Sequence, residues 1–484
     1  MKNKDIKNIF YNGINTCLSI IFPLITFPYI SRVIGAVNVG KINFSNSIVS
    51  YFALIASLGI YTHAIRECSK VKGDYKKVSV VASQIYSINI ISTIISLILL
   101  YATMLCCNPL KDYRLLIFIY SLNIIATTLG TDWINTAMEN FRYITIRSFI
   151  FQLLSIVLMF VFVKISSDYI IYSIIHIIAS ILICISNIIY RSRFCNIRFV
   201  FDFDIKQHIK PILLLFVISL SQNIFNNCDI TMIGFQMGDY YVGLYTSAHK
   251  IINIIFMIVA SICWVMIPQL THLFANNDYD NANSLLHQIT SFTVALGMPI
   301  VVGINVIPKE ILLIACGNQF FDAEWCLRLL AISMSISFFI GIYGNMVLIP
   351  IGQDKIYMKS CIFAMIMNVI MNYFLIPIIG INGAAIATII SEFVNLVVIK
   401  ISIDKRIRII KDRKIFIAPI IGSLCIILIK RVIFMFDINI YLKTLMTIFI
   451  SAFVYFVILI LLKNEFAINF IYPVLKKIGI KIDE

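Results

Sequence analysis

The sequence predicts an all-α polytopic membrane protein of about 14 transmembrane helices, in two six-helix lobes forming a parallel pseudo-repeat, plus two extra C-terminal helices. Three observations predict it. Of 484 residues, 60% are hydrophobic and 13% charged, against roughly 25% charged in soluble domains. The apolar residues fall in continuous runs of about 20, the length a helix needs to cross hydrocarbon, without the alternation of a barrel strand. Finally, the turn Gly35-Ala36-Val37-Asn38-Val39-Gly40 returns as Gly238-Asp239-Tyr240-Tyr241-Val242-Gly243 at an offset of 203, which also places Ile48 on Ile251.

The runs lie at about 9–31, 43–65, 80–105, 115–138, 147–164, 169–190, 211–235, 243–270, 286–307, 325–349, 356–377, 383–400, 415–436 and 441–462. An even number puts both termini on one side. That side then holds 28 of the 39 Lys and Arg residues, the other side 10, and Lys250 lies within a run. Positive loops stay inside, so both termini are expected in the cytoplasm. The same bias accounts for the net charge of +15, and no nucleic-acid partner is expected. The expected divisions are 1–200 (helices 1–6), 201–404 (helices 7–12) and 405–484 (helices 13–14 and a cytoplasmic tail). Six crossings per lobe give both lobes the same orientation.

Enzyme classes are disfavoured. No loop is long enough to house a catalytic domain, and neither a Ser-His-Asp order nor a paired-carboxylate cluster stands out. Gly35-x-x-x-x-Gly40-Lys41 approaches a phosphate-binding loop, but Ile42 stands where the motif needs Ser or Thr, and the echo has Leu244 for the Lys. The twelve Cys residues lack metal-ligand spacing and mostly sit inside apolar runs as small hydrophobes. His63, His176 and His249 fall in different runs. No metal and no cofactor is expected. The start, Met1 to Asn8, is polar and leads into a run too long for a cleavable signal.

Charges inside the runs need a reason, since each costs roughly 2.5–3.5 kcal/mol on insertion scales. Asp229 lies before the second turn and Lys250 after it, both at a depth near ~9–10 Å at ~1.5 Å per residue. Either they form a structural ion pair or they face a cavity as an ion-coupling or anion-binding site. Their first-half counterparts are Thr26 and Ser47, so the hairpin itself does not require the charges. Arg32, at the outer end of the first run, either snorkels or clamps a phosphate with its forked guanidinium. Arg66 reads first as a cytoplasmic anchor. Asp132, deep in the fourth run, either titrates or pairs, and Glu139 is expected to bridge to Arg142 three residues on. Glu392 follows a small-residue ridge, Gly383, Ala387 and Ser391, which suits close helix packing. Tyr240 and Tyr241 read as interface-belt residues.

Six segments stand out: Pro28-Tyr29-Ile30-Ser31-Arg32-Val33-Ile34-Gly35, Ala56-Ser57-Leu58-Gly59-Ile60, Asp132-Trp133 with Glu139-Asn140-Phe141-Arg142, Asp229-Ile230-Thr231-Met232-Ile233-Gly234, Ala248-His249-Lys250-Ile251 and Gly380-Ile381-Asn382-Gly383-Ala384-Ala385. Together they are similar to the polysaccharide transport family, the Wzx-type flippases of the multidrug/oligosaccharidyl-lipid/polysaccharide exporter superfamily. The resemblance runs the whole chain in order. It implies a two-lobed, V-shaped transporter in the bacterial inner membrane. Such a transporter moves undecaprenyl-diphosphate-linked oligosaccharide units for O-antigen or capsule assembly by ion-coupled alternating access. Arg32, Lys250 and Arg66 would then meet the diphosphate, and Asp229 and Asp132 would couple an ion or form buried pairs. The implied partners are the lipid-linked substrate, the bilayer, a polysaccharide polymerase and a chain-length regulator. The competing readings are a small-molecule antiporter of the same superfamily, which would typically have twelve spans, and a polytopic polymerase or glycosyltransferase.

Overall fold

The computed structural model describes residues 3–201, 205–404 and 406–468. Lys405 and the tail lysines Lys476, Lys477 and Lys481, all expected in the cytoplasm, lie outside the described residues. The chain forms two compact units, Met1–Thr246 and Ser247–Glu484.

The first unit holds α1 (Asn3–Ser57), α2 (Ile60–Lys70), α3 (Tyr75–Cys106), α4 (Arg114–Gly130), α5 (Trp133–Ala137), α6 (Phe141–Phe162), α7 (Tyr169–Arg191), α8 (Ile205–Met237) and the start of α9 (Asp239–Trp264). The second holds the rest of α9, then α10 (Ile267–Ala275), α11 (Tyr279–Val306), α12 (Pro308–Ala315), α13 (Glu324–Tyr343), α14 (Asp354–Ile379), α15 (Ile381–Ser402), α16 (Ile417–Phe434) and α17 (Ile440–Leu461). Among the described residues every element is helical, and 13 segments are long and apolar enough to cross a membrane.

The first of these segments, Gly13–Lys70, has 58 residues. At ~1.5 Å per residue that is roughly 85 Å, far more than one crossing. It divides at Gly35, whose φ of 77° and ψ of 169° interrupt the helix. The division yields the two runs expected there and brings the number of crossings among the described residues to fourteen, as expected. Gly238, the repeat counterpart of Gly35, also has positive φ, at 88°. A side chain at either position would strain the backbone in this left-handed region.

Three expected runs are broken by backbone. The second ends at Leu58 and Gly59, both with positive φ. The fourth stops at Gly130, turns at Thr131 (φ 42°) and restarts as the five-residue α5. The eighth ends at Trp264 and gives way to α10.

The first unit packs a cluster that includes Ile60, Ala64, Val78, Ile85, Trp133 and Ile134. The second packs one that includes Leu270, Leu286, Ile289, Val347, Tyr455 and Leu459. In each unit a link between crossings runs extended along a helix and hydrogen-bonds to it. The backbone N–H groups of Asn196, Arg198 and Val200 donate to Ser79, Ser83 and Ser87 of α3 at 2.9, 3.1 and 2.8 Å. Those of Arg408 and Lys411 donate to Asn283 and His287 of α11 at 2.8 and 3.2 Å. Asn283 and His287 lie 204 positions beyond Ser79 and Ser83. Each side-chain ladder supplies partners that an extended link otherwise lacks.

Candidate functional site

Asp229 sits on α8 and is 5% exposed. Its carboxylate accepts a hydrogen bond from the hydroxyl of the fully buried Tyr245 on α9. The thiol of Cys228 lies 3.6 Å away. Next to it a polar seam joins α1 to α8. Thr231 Oγ1 meets Ser47 Oγ at 3.1 Å and Tyr51 Oη at 3.0 Å, while Ser50 donates to Asn223 at 3.4 Å. Polar side chains bonded across helices are affordable in hydrocarbon because each satisfies the other. Lys250, half-buried on α9, belongs to the second unit.

Arg32 is exposed on α1, three residues before the Gly35 interruption, and Arg66 is exposed on α2.

Asp132 opens α5 just after the left-handed Thr131, and the break turns its side chain toward α6 and α7. Arg147 on α6, its side chain only 5% exposed, donates to Asp132 at 2.7 Å. It also donates to the Asn187 side-chain oxygen. Asn187 Nδ2 returns a bond to Asp132 at 3.2 Å, and Asn135 donates to Asn187 at 3.1 Å. The Arg147 guanidinium rests 5.5 Å over the ring of Tyr143, which stacks on Tyr190 at 3.6 Å between centroids. This network ties the broken fourth crossing to its neighbours.

Two sequence expectations are corrected here. Glu139 bridges to Lys72 at 2.8 Å, not to Arg142. Glu139 adopts φ 56°, so the helical three-residue spacing that the expected bridge relied on is absent. Arg147, the first residue of the fifth expected run and one of the 28 cations assigned to the terminal side, is buried. Its signal lay in its neighbours, since Ile144, Ile146, Phe149 and Ile150 surround it with apolar sequence.

In the second unit, Glu392 on α15 is buried and accepts from Ser333 and Ser337 of α13. Its packing ridge is tight: a Cβ on Gly383 would stand 2.4 Å from the carbonyl oxygen of Leu375. A cavity of about 510 Å³ opens among α9, α11, α12, α16 and α17, lined by apolar residues such as Ile255, Leu296, Ile300, Ile304, Ile448 and Phe456. The sequence reading gave no hint of this cavity. It also missed a buried contact between His63 Nε2 and His208 Nδ1 at 2.9 Å. Among the described residues no group of three His, Cys, Asp or Glu could hold a metal ion.

The chain is 17% identical to a solved structure of the lipid II flippase MurJ in an inward closed conformation, with a TM-score of 0.77 over 96% of this chain and 100% of that one. It superposes less closely on an inward-facing multidrug resistance MATE family transporter, with a TM-score of 0.58 at 14% identity over 86% of this chain and 95% of that one. Both likenesses establish the fold. A protein named as an O-antigen transporter of Escherichia coli (strain K12) is 19% identical over 392 residues, 80% of this chain and 93% of that protein. The capsular polysaccharide biosynthesis protein CapF of Staphylococcus aureus is 22% identical over 413 residues, 81% of this chain and 97% of that one. A family model described as polysaccharide biosynthesis protein matches residues 6–274, more than half of the sequence, and the chain therefore belongs to the polysaccharide biosynthesis protein family.

Proposed function

We propose that this protein is a flippase that carries undecaprenyl-diphosphate-linked oligosaccharide units across the bacterial inner membrane. The units would serve O-antigen or capsule assembly, and transport would proceed by ion-coupled alternating access with both termini in the cytoplasm. The names of its relatives and its fold support a transporter rather than an enzyme. The observation that carries the reading is the apolar cavity of the second unit. A lipid-linked substrate poses two solvation problems at once. Its sugars and diphosphate must be shielded from hydrocarbon, where an unsatisfied polar group costs several kcal/mol, while its isoprenoid tail must stay in an apolar medium. A cavity of about 510 Å³ lined by Ile, Leu, Val and Phe suits the tail. The two C-terminal helices α16 and α17, beyond the twelve of the repeat, supply part of that lining.

Arg32, Arg66 and Lys250 are the cations assigned to the diphosphate as it passes, and Asp229 is assigned to ion coupling. Asp132 is assigned to its pair with Arg147. A polymerase and a chain-length regulator would act on the delivered units. The test uses proteoliposomes holding the purified full chain and a fluorescent undecaprenyl-diphosphate oligosaccharide. Transfer from the outer to the inner leaflet, seen as protection from a membrane-impermeant quencher, is expected. No protection above empty liposomes overturns the reading. Uptake of a cationic dye without lipid transfer would favour the antiporter instead.

A further inference from the structure

The link after α15 is a built surface, not a slack loop. Its backbone is clamped at three points: Asn283 donates to the Arg406 carbonyl at 2.9 Å and accepts from the Arg408 N–H, and His287 accepts from the Lys411 N–H. Both clamp residues are buried. The His287 ring is itself held by Glu465 at 3.1 Å. The extended backbone sorts its side chains by parity. Ile407 and Ile409 face inward, Ile409 at 3% exposure, while Arg406, Arg408 and Ile410 face out.

The charge on the outward face is net positive. Asp404 is neutralised by Arg406 through bonds of 2.6 and 2.9 Å, and that guanidinium also lies over Tyr279. Asp412 accepts from the Lys414 N–H and keeps its negative charge, one against the four positive charges around it. Among the described residues Arg408, Lys411, Arg413 and Lys414 form no ion pair, and all four are exposed. Exposed Ile401, Ile410 and Ile417 stand beside them.

We propose that this strap is a docking surface for the phosphates of anionic lipid headgroups in the adjoining leaflet. Its position selects the occupant. It leaves the end of one membrane-crossing helix, α15, and re-enters the bilayer three residues beyond Lys414 in another, α16. The surface therefore lies at headgroup depth, where juxtamembrane cations attract anionic lipid. Exposed isoleucines among the cations suit the boundary between headgroups and acyl chains, and a soluble acidic partner would leave them in water.

The experiment places the full chain in nanodiscs of phosphatidylglycerol and phosphatidylcholine and counts retained lipids by native mass spectrometry. Wild type is expected to retain phosphatidylglycerol preferentially, and R408Q/K411Q/R413Q/K414Q to lose that preference by on the order of tenfold. The control K70Q/K72Q/K76Q/K77Q removes equal charge from the link between α2 and α3 and is expected to keep it. N283A/H287A keeps every strap cation but releases the clamp, and is expected to lose part of the preference. Equal losses in strap variant and control, or none in the strap variant, overturn the proposal. So does unchanged lipid retention with loss of polyglutamate binding in the strap variant, which would mark a dock for an acidic protein. Full retention in N283A/H287A overturns the role of the clamped shape.

Discussion

Gly40 and Gly243, counterparts at the repeat offset of 203, make reciprocal contacts. A Cβ on Gly40 would stand 1.7 Å from the carbonyl oxygen of Asp239, and a Cβ on Gly243 would stand 2.0 Å from that of Ala36. Asp239 is itself the counterpart of Ala36. The two copies of the turn thus cross by paired backbone approaches, with no room for a side chain at either.

Gly40→Ala and Gly243→Ala are each expected to destabilise the protein by about 1–3 kcal/mol, the usual cost of overpacking. Gly341→Ala has open space around the new Cβ and is expected to be neutral or stabilising by up to ~1 kcal/mol through helix propensity. Thermal unfolding of the three purified variants checks this. Equal melting points would mean that the helices shift apart freely at the crossing.

Arg147→Met is expected to destabilise by about 3 kcal/mol, the low end for breaking a buried pair, because Asp132 keeps 39% side-chain exposure. Asp132→Asn/Arg147→Met should recover most of that loss, since no charge is then left behind. Failure of the double variant to recover would show that Arg147 acts mainly through Asn187.

How much of this was readable in advance follows from which force sets each feature. Crossings were readable because hydrocarbon solvation acts residue by residue on composition. Gly35 and Gly40 were readable because their pattern repeats. The break at Thr131 was not: a left-handed threonine is held by tertiary bonds such as the one from Arg191, at 2.7 Å, which no local pattern announces. The Asn187 hub and the Ser79, Ser83, Ser87 ladder were invisible for the same reason, since Asn and Ser mid-helix are equally compatible with water, lipid or a neighbour. The candidate site was half readable. Asp132 and Asp229 stood out as costly charges, while their partners Arg147 and Tyr245 did not.

Asp74 caps α3, accepting from the N–H groups of Lys76 and Lys77 at 3.1 Å. These bonds, that of Lys77 first, hold its carboxyl below the usual range. A depressed folded value means the cap's contribution is full above the ordinary carboxylate pKa of ~3.9 and is lost as pH falls through the lower folded value. Wild type should therefore melt above Asp74→Ala at neutral pH, and the gap should close in acid. A gap that widens in acid would contradict the cap.

The proposed orientation is testable by cysteine labelling with an impermeant reagent from outside intact cells. In a cysteine-free background, Tyr240→Cys is expected to label and Lys411→Cys to be silent until the membrane is opened. The reverse pattern would invert the topology.

The last prediction separates structure from coupling at Asp229. Its buried carboxylate accepts from Tyr245, so Tyr245→Phe removes a donor and is expected to cost about 1–3 kcal/mol. Asp229→Asn removes the charge and is expected to retain abundance, because an amide oxygen still accepts from the same hydroxyl. If Asp229 only anchors α9 to α8, Asp229→Asn proteoliposomes will flip lipid-linked oligosaccharide as wild type does, with the same response to an imposed ion gradient. If it couples an ion, transfer will persist only passively, and the gradient will no longer drive it. Lys250→Gln supplies the contrast: a cation that meets the diphosphate should weaken substrate affinity when neutralised, while gradient dependence survives. Identical phenotypes for Asp229→Asn and Lys250→Gln would refute this division of labour, and wild-type behaviour in both would remove the two residues from the transport cycle.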